Sequence, residues 1–247
     1  MRRDRAFRLG PALFLFERTF EDILERIALV RRRFRSALLI GCPDPSWPNR
    51  LAKVVDRLAV VDPGALFAGA VRGRKLAEDQ ERLGSGDFDL CLAIGTLDTV
   101  DDLPLALANI RAALCQSALL IGAMSGGDTL PALRRAMRAA DAVTRAASPH
   151  VHPRIDGPSF CRLIDSAGFV DPVVDLDRVS VAYGSLAKLV ADLRAMAATN
   201  ILADRSRTPM HRDAFSAASR DFAAAAQDGR TVEVFEILHF AAWTAPD

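Results

Sequence analysis

The sequence contains little cysteine, and its cysteines are not paired. The 247 residues include four, Cys42, Cys91, Cys115 and Cys161, which lie far apart and form no Cys-x-x-Cys motif. This usage is typical of reduced thiols in a cytoplasm-like compartment, and we expect buried structural cysteines. A disulfide-stapled domain is therefore disfavoured.

Three further features are missing: an excess of one charge, a long apolar run and a dinucleotide motif. Lys and Arg number 32 against 31 Asp and Glu, so no global field favours nucleic acid. No apolar run reaches about 18 residues, and charges recur near the start, so neither a membrane span nor a secretory signal is predicted. No Gly-x-Gly-x-x-Gly follows an apolar run, which disfavours a nicotinamide-dependent reductase. We expect a soluble, intracellular protein with no nucleic-acid partner.

The first residues are basic. Arg2, Arg3, Arg5 and Arg8 precede Pro11. Such a charge run is usually a solvated arm, and we interpret it so, with a specific phosphate contact as the alternative.

Short apolar runs alternate with segments of helical periodicity. Four runs predict buried parallel strands, at 37–41, 58–62, 87–94 and 117–123. Apolar positions at helical spacing predict helices at 17–34, 51–58, 103–114 and 129–144. This alternation predicts βαβ units and a parallel sheet, which is an α/β fold.

The second half adds two strands and two helices. We predict strands at 173–181 and 232–240, the last one antiparallel, and helices at 186–198 and 211–226. No repeat or low-complexity linker occurs, so we expect one domain over 1–247. Within it, 1–35 would form an N-terminal helical arm and 184–228 a helical insertion that covers the strand ends.

The predicted sheet places a ligand site at the carboxyl ends of its strands, in the loops after Ile40, Val61, Ile94 and Ala123. Asp62 follows Gly41 by 21 residues (62 − 41), an interval at which an acid reaches ribose hydroxyls. A plain strand-end turn before Pro63 and Gly64 is the alternative. Asp79 can accept the amino group of an adenine ring, or belong to a solvated charge run at 77–81.

The loop after the first strand lacks the glycines that a nucleotide site needs. It reads Gly-Cys-Pro-Asp-Pro-Ser-Trp-Pro-Asn from Gly41 to Asn49. Its three prolines have no backbone N–H and fix φ, and we expect Trp47 to add bulk where a cofactor would lie. The loop argues against tight binding of a nucleotide-type cofactor.

Two polar segments are candidates for substrate contact. His150 and His152 stand between prolines without a third ligand in register, so we expect no metal, and we expect His150 to contact substrate or to fix its loop by a hydrogen bond. Arg154 is interpreted as half of a surface salt bridge, with a substrate carboxylate as the alternative. In the segment from Gly126 to Thr129, Asp128 or Thr129 can cap the following helix, and the same loop can bind substrate.

Residues 86–213 resemble a known family in several short segments. The most specific are Gly126-Gly127-Asp128-Thr129-Leu130 and Ser148-Pro149-His150, and the opening Arg2-Arg3-Asp4-Arg5-Ala6 is similar as well. Met124, Tyr183 and His211-Arg212-Asp213 also belong to the resemblance. The chain resembles the methyltransferase-fold assembly factors of respiratory complex I and, more distantly, the malonyl-carrier-protein O-methyltransferases of biotin synthesis.

The resemblance implies a class I methyltransferase (Rossmann-like) fold with S-adenosylmethionine (SAM) as cofactor. For the mitochondrial member it implies arginine hydroxylation of a complex I subunit, and hence such a subunit as partner. The resemblance further implies a bacterial cytoplasmic location, peripheral to the inner membrane. The cofactor residues would be Gly41, Asp62, Asp79, Ile94 and Gly95. The substrate residues would be Met124, Gly127, Asp128, His150 and Tyr183.

The chain departs from the family at the first strand. Leu39 replaces an acid, and Pro43 and Pro45 replace two loop glycines. We therefore predict a SAM-dependent methyltransferase-like protein of complex I assembly with a degenerate SAM loop. The alternative is a catalytically inactive pseudo-methyltransferase that serves as an assembly scaffold. Methyl transfer depends mainly on alignment of the reacting atoms, so the sequence assigns no catalytic residue.

Overall fold

The computed structural model describes residues 2–145, 147–206 and 208–246. Within them, one seven-stranded sheet has the order β3-β2-β1-β4-β5-β7-β6. The strands are β1 Phe34–Ile40, β2 Val55–Asp62, β3 Arg74–Lys75, β4 Phe88–Ile94, β5 Leu114–Ser125, β6 Phe169–Tyr183 and β7 Thr231–Thr244. Strands β1 to β5 run parallel, whereas β7 pairs antiparallel with both β5 and β6. The predicted α/β fold with a late antiparallel strand is confirmed.

Helices cover both faces of the sheet. They are α1 Arg2–Leu9, α2 Phe14–Leu29, α3 Trp47–Leu51, α4 Ala65–Ala70, α5 Leu103–Ala113, α6 Pro131–Thr144, α7 Gly157–Ser166, α8 Leu186–Ala195 and α9 Arg212–Ala224. One buried cluster joins the sheet to α5 and α7, and a second joins it to α2 and α3. A third lies between α6, α8, α9 and the sheet. Among the described residues, no helix is long and apolar enough to cross a membrane.

Two predicted helices differ from the observed ones. The helix expected at 17–34 ends at Leu29, and Phe34 already belongs to β1. The helix expected at 51–58 is wrong, because α3 ends at Leu51 and β2 begins at Val55. The β-branched pair Val54-Val55 favours the extended backbone there.

The expected arm and the expected cover each contain two helices among their described residues. The arm at 1–35 contains α1 and α2, and the insertion at 184–228 contains α8 and α9. Met1 and Arg207, which fall in these expected ranges, lie outside the described residues, as does Asp247 of the expected domain. The solvated arm predicted for the first arginines is wrong for Arg3, which is 8% exposed.

Candidate cofactor and substrate site

Gly41 turns the chain at the carboxyl end of β1. Its φ of +81° lies in the left-handed region, and its N–H donates to the Val61 carbonyl at 2.9 Å. A Cβ at this position would overlap the Ile94 carbonyl oxygen. Glycine is therefore required both by the backbone conformation and by the close approach of β1 to the end of β4.

The proline-containing loop folds back on itself after Gly41. Asp44 stabilises it by accepting the Ser46 N–H at 2.7 Å, and the Trp47 N–H reaches the Asp44 carbonyl at 3.2 Å. The Trp47 ring is fully buried and stacks on Phe20 of α2, with centroids 4.2 Å apart. Its Nε1 donates to Glu17 at 3.0 Å. The expected obstruction by Trp47 is therefore wrong, because the apolar ring points into the core and is buried there.

Asp62 lies at the carboxyl end of β2 and has no solvent exposure. Its Oδ1 accepts Arg3 Nε at 2.6 Å and the Gly64 N–H at 2.7 Å. Its Oδ2 accepts the Cys42 N–H at 2.9 Å and a short ion-pair contact from Arg3 Nη2. Both carboxylate oxygens therefore have two donors each, and Gly64 supplies the strand-end turn that the sequence left open.

A polar cavity of about 500 Å³ lies next to Asp62. Its walls come from Lys75–Glu81, from Thr96 and the 99–101 segment, from Arg2 and Arg3, and from the loop at 200–205. Asp79 is nearly buried and accepts the Asp101 and Asp102 N–H groups through Oδ2, at 2.8 and 3.2 Å. Its Oδ1 accepts no hydrogen bond within the described residues. The size of this cavity is typical of a site for a small ligand.

Two further polar side chains of the polar cavity face each other without a well-formed hydrogen bond. Glu78 lies next to Thr96, and each is 1% exposed, but Glu78 Oε1 and Thr96 Oγ1 make no well-formed hydrogen bond within the described part of the chain. Burial raises the pKa of Glu78. Unpaired buried polar groups are rare and costly, so they indicate a missing polar partner such as a ligand or a water molecule. Thr96 was not predicted from the sequence, and the solvated charge run that was the alternative for 77–81 is wrong for Glu78 and Asp79, because both are buried.

A smaller apolar cavity of about 90 Å³ lies above the ends of β4 and β5. Ile94, Gly95 and Met124 line it. Gly95 has a φ of +65° and packs directly under the Phe16 ring of α2, so this helix forms part of the wall.

An ion pair stands in the wall of the apolar cavity. Arg154 contacts Asp98, which follows β4, and the two side chains are 3% and 9% exposed. The surface salt bridge predicted for Arg154 is therefore wrong, because the pair is buried. Arg154 Nε has no hydrogen-bond partner among the described residues. This pair was not predictable from the sequence, since its members are 56 residues apart.

The remaining substrate candidates do not line the apolar cavity. Gly127 lies beside the Arg154 carbonyl, the Asp128 side chain is 83% exposed, and Tyr183 is buried in the cluster under α6, α8 and α9. His150 Nε2 is 2.7 Å from Asp141 Oδ1, which matches the loop-fixing hydrogen bond. Burial raises the pKa of Tyr183.

Helix α6 is not capped as expected. Neither Asp128 nor Thr129 caps it, because Leu130 occupies the N-cap position with a φ of +61°. Glu233 of β7 accepts the N–H groups of Ala132 and Leu133 instead, at 3.1 and 2.8 Å. The buried Glu233 carboxylate of β7 thus accepts N–H groups of the first turn of α6 that have no acceptor within the helix.

Comparisons with known proteins agree with this architecture. The chain is 30% identical over 248 residues to the mitochondrial arginine-hydroxylase NDUFAF5 of Danio rerio, covering 95% of this chain and 76% of that protein. It is 31% identical over 183 residues to the malonyl-[acyl-carrier protein] O-methyltransferase of Xylella fastidiosa, covering 74% of this chain and 58% of that enzyme.

A solved structure supports the fold alone. A Bacillus halodurans protein assigned to the methyltransferases superimposes with a TM-score of 0.61 at 10% identity, over 90% of this chain and 98% of that one. No family model matches the chain. The identity to the Danio rerio protein over nearly the whole length decides the assignment, and the chain belongs to the NDUFAF5 family of methyltransferase-fold proteins.

Proposed function

We propose that the chain is a SAM-binding protein of complex I assembly that acts on an arginine side chain of a protein partner. The observation that carries this proposal is the 30% identity to an arginine-hydroxylase over 95% of the chain. A cytoplasmic location, at the inner face of the membrane that holds such a complex, belongs to the same proposal.

The polar cavity supports binding of the adenosine part of SAM. Asp79 Oδ1 is available to accept an adenine amino group, and Glu78 and Thr96 offer further polar atoms nearby. The methionine part fits less well, because Pro43 and Pro45 have no N–H to offer its carboxylate. When bound, SAM supplies an electrophilic methyl group. The chain's own residues bind the adenosine part, orient it and exclude water from the apolar cavity.

The apolar cavity supports an arginine-directed activity. Its acid, Asp98, already holds one guanidinium, that of Arg154, beside Met124. A planar guanidinium therefore fits at this edge of the sheet, and an arginine from a partner would compete with Arg154 for Asp98.

One observation favours a second candidate function, an inactive assembly scaffold. The proline-containing loop removes donors for the methionine part, and Asp62 is saturated by Arg3 and two backbone N–H groups. A chain with both features would hold a partner without turning over SAM.

Binding of S-adenosylhomocysteine (SAH) tests the proposal. Thermal unfolding and calorimetry with SAH should show saturable binding, and a hundredfold excess over Kd stabilises the native state by about 2.7 kcal/mol. Asp79→Asn should weaken the Kd about tenfold or more, since it replaces an acceptor of the adenine amino group, and each tenfold is about 1.4 kcal/mol.

Asp89→Asn is the matched control. Asp89 is also nearly buried and also accepts backbone N–H groups, from Arg35 and Ser36, but it lies at the opposite end of the strands. The Asp89→Asn variant should lose about as much stability as Asp79→Asn and should bind SAH with the wild-type Kd. If millimolar SAH leaves the melting temperature of the wild type unchanged, the SAM proposal fails. Recovery of a complex I subunit in a pull-down would then support the scaffold.

A further inference from the structure

We propose that helix α1 is a latch on the ribose acid: Arg3 and a bound nucleoside compete for Asp62, and the nucleoside site opens only when α1 detaches. The inference rests on the proposed binding of SAM. It gives a role to Arg3, for which the composition of the first residues indicated a solvated arm or, as the alternative, a phosphate contact.

Arg3 is held at Asp62 by several contacts at once. Its guanidinium makes a two-point ion pair with the carboxylate, and the side chains are 10% and 0% exposed. Its Cζ also lies 5.0 Å from the centroid of the Phe67 ring. A Cβ on Gly64 would come within 2.7 Å of Arg3 Cβ. The absence of a side chain at Gly64 therefore leaves room for the Arg3 side chain. This geometry describes an inserted side chain and not a solvated arginine.

The competition follows from the number of acceptor positions on a carboxylate. The two oxygens of Asp62 together offer about four lone-pair sites. Arg3 fills two of them, and the Cys42 and Gly64 N–H groups fill the others. A ribose diol needs two acceptor positions. The two backbone groups belong to the turns that follow β1 and β2, whereas Arg3 comes from a separate helix, so Arg3 is the donor that can leave.

Helix α1 packs outside the main core, where Asp4 accepts the Leu66 N–H at 2.9 Å and the Phe7 ring lies edge-on to Phe67. Only Arg3 and Ala6 of its residues are buried. Ala6 packs with Phe67 and Ala197 in a small cluster outside the main core. The helix ends before Gly10, which has a φ of +84° and open space around it. This glycine separates α1 from α2 and allows α1 to move without disturbing the core.

A second arginine connects the latch to the helical cover. Arg2 Nη1 donates to the Ala197 and Thr199 carbonyls, at 3.2 and 3.0 Å, just beyond α8. Arg2 and Arg3 also line the polar cavity that would receive adenosine. Release of α1 would therefore free Asp62 and widen the entrance to this cavity in one movement.

The test compares Arg3→Ala with Arg5→Ala, an exposed arginine of the same helix. A closed latch lowers the apparent affinity by the fraction of open molecules, so Arg3→Ala should tighten SAH binding about tenfold and Arg5→Ala should not change it. By reciprocity, SAH should speed amide hydrogen exchange at residues 2–9 of the wild type. Slower exchange at 2–9 with SAH, or weaker binding by Arg3→Ala, would overturn the latch.

Two measurements keep the test decisive. Arg3→Ala leaves a buried carboxylate without its cation and can unfold the chain, so Arg3→Lys is the second variant, with an intermediate gain in affinity expected. Without any ligand, exchange at 2–9 should be faster in Arg3→Lys than in Arg5→Ala. Equal rates refute the latch even if SAH binds. Faster exchange with no SAH binding by any variant refutes the proposed cofactor and the competition for Asp62, and supports only the attachment of α1 through Arg3.

Discussion

Two glycines with the same backbone conformation differ in their surroundings. Gly41 and Gly168 have φ values of +81° and +85°. A Cβ on Gly168 would meet nothing within 4 Å, whereas one on Gly41 would overlap the Ile94 carbonyl and crowd the Thr96 methyl group. The pair therefore separates the cost of a left-handed backbone from the cost of close approach between strands.

Gly168→Ala should cost about 1 kcal/mol of unfolding free energy, the usual cost of a left-handed alanine. Gly41→Ala should cost at least about 3 kcal/mol, since strand ends must also move apart. Urea unfolding of both variants measures the difference. Equal losses would show that the end of β1 adapts freely and that Gly41 is needed for φ alone.

Single residues of the candidate site were partly predictable. Gly41 and Asp62 end predicted strands and Asp79 precedes the one predicted at 87–94, and the structure places all three at the carboxyl edge of the sheet. The partner of Asp62 was not predictable, because Arg3 is 59 residues away and a run of arginines normally indicates solvent exposure. Whether these acids contact a cofactor stays a prediction.

At the scale of elements, α3 shows how the chain replaced a glycine-containing loop. Trp47 begins this five-residue helix, with Pro48 in its first turn. The Trp47 ring connects α3 to α2 through Phe20 and Glu17. The segment that would cradle a cofactor in a glycine-rich loop is here a packing element of the core.

Trp47→Ala should therefore destabilise the chain by about 3–5 kcal/mol, as is usual for a buried aromatic side chain. Trp47→Phe keeps the stack on Phe20 and loses the bond to Glu17, so it should cost about 1 kcal/mol. Trp243, which is only partly buried, provides the control, and Trp243→Ala should cost clearly less. Denaturant unfolding followed by circular dichroism gives all three values. A loss below about 1 kcal/mol for Trp47→Ala would contradict the packing role.

Strands were predicted better than short helices. The apolar runs of β1, β4 and β5 are long and buried, and their positions agree with the sequence pattern. Helices α1, α3 and α4 have five to eight residues, too few for a periodic pattern to stand out. Their stability comes from tertiary contacts such as Arg3–Asp62, which cannot be predicted from the neighbouring residues in the sequence.

At the scale of the whole molecule, His152 couples folding to pH. It is 3% exposed, and burial together with the Arg154 cation lowers its pKa to about 4. The unfolded chain, with a histidine pKa of about 6.5, takes up the proton first as pH falls. The stability from neutral His152 is therefore complete above about pH 6.5 and is lost as pH falls towards 4.

His152→Gln should remove this contribution. The difference in unfolding free energy between wild type and variant should shrink by about 2 kcal/mol as pH falls from about 7 to about 4. The exposed His211 supplies the control variant His211→Gln. Burial also lowers the pKa of His239. This histidine therefore adds a pH dependence of the same sign to the unfolding free energy, and both variants retain it. A difference that stays constant over this range would contradict the assignment.

The position of β7 has a consequence for protein synthesis. β7 is the last strand of the described chain, yet it lies between β5 and β6 and pairs with both. While a ribosome is still translating residues 231–244, β6 has no neighbour and one edge of β5 is open. Unpaired strand edges invite wrong pairing with other chains. The nascent protein therefore exposes these strand edges until residues 231–244 have been made, and a premature stop in β7 would deprive both β5 and β6 of a partner.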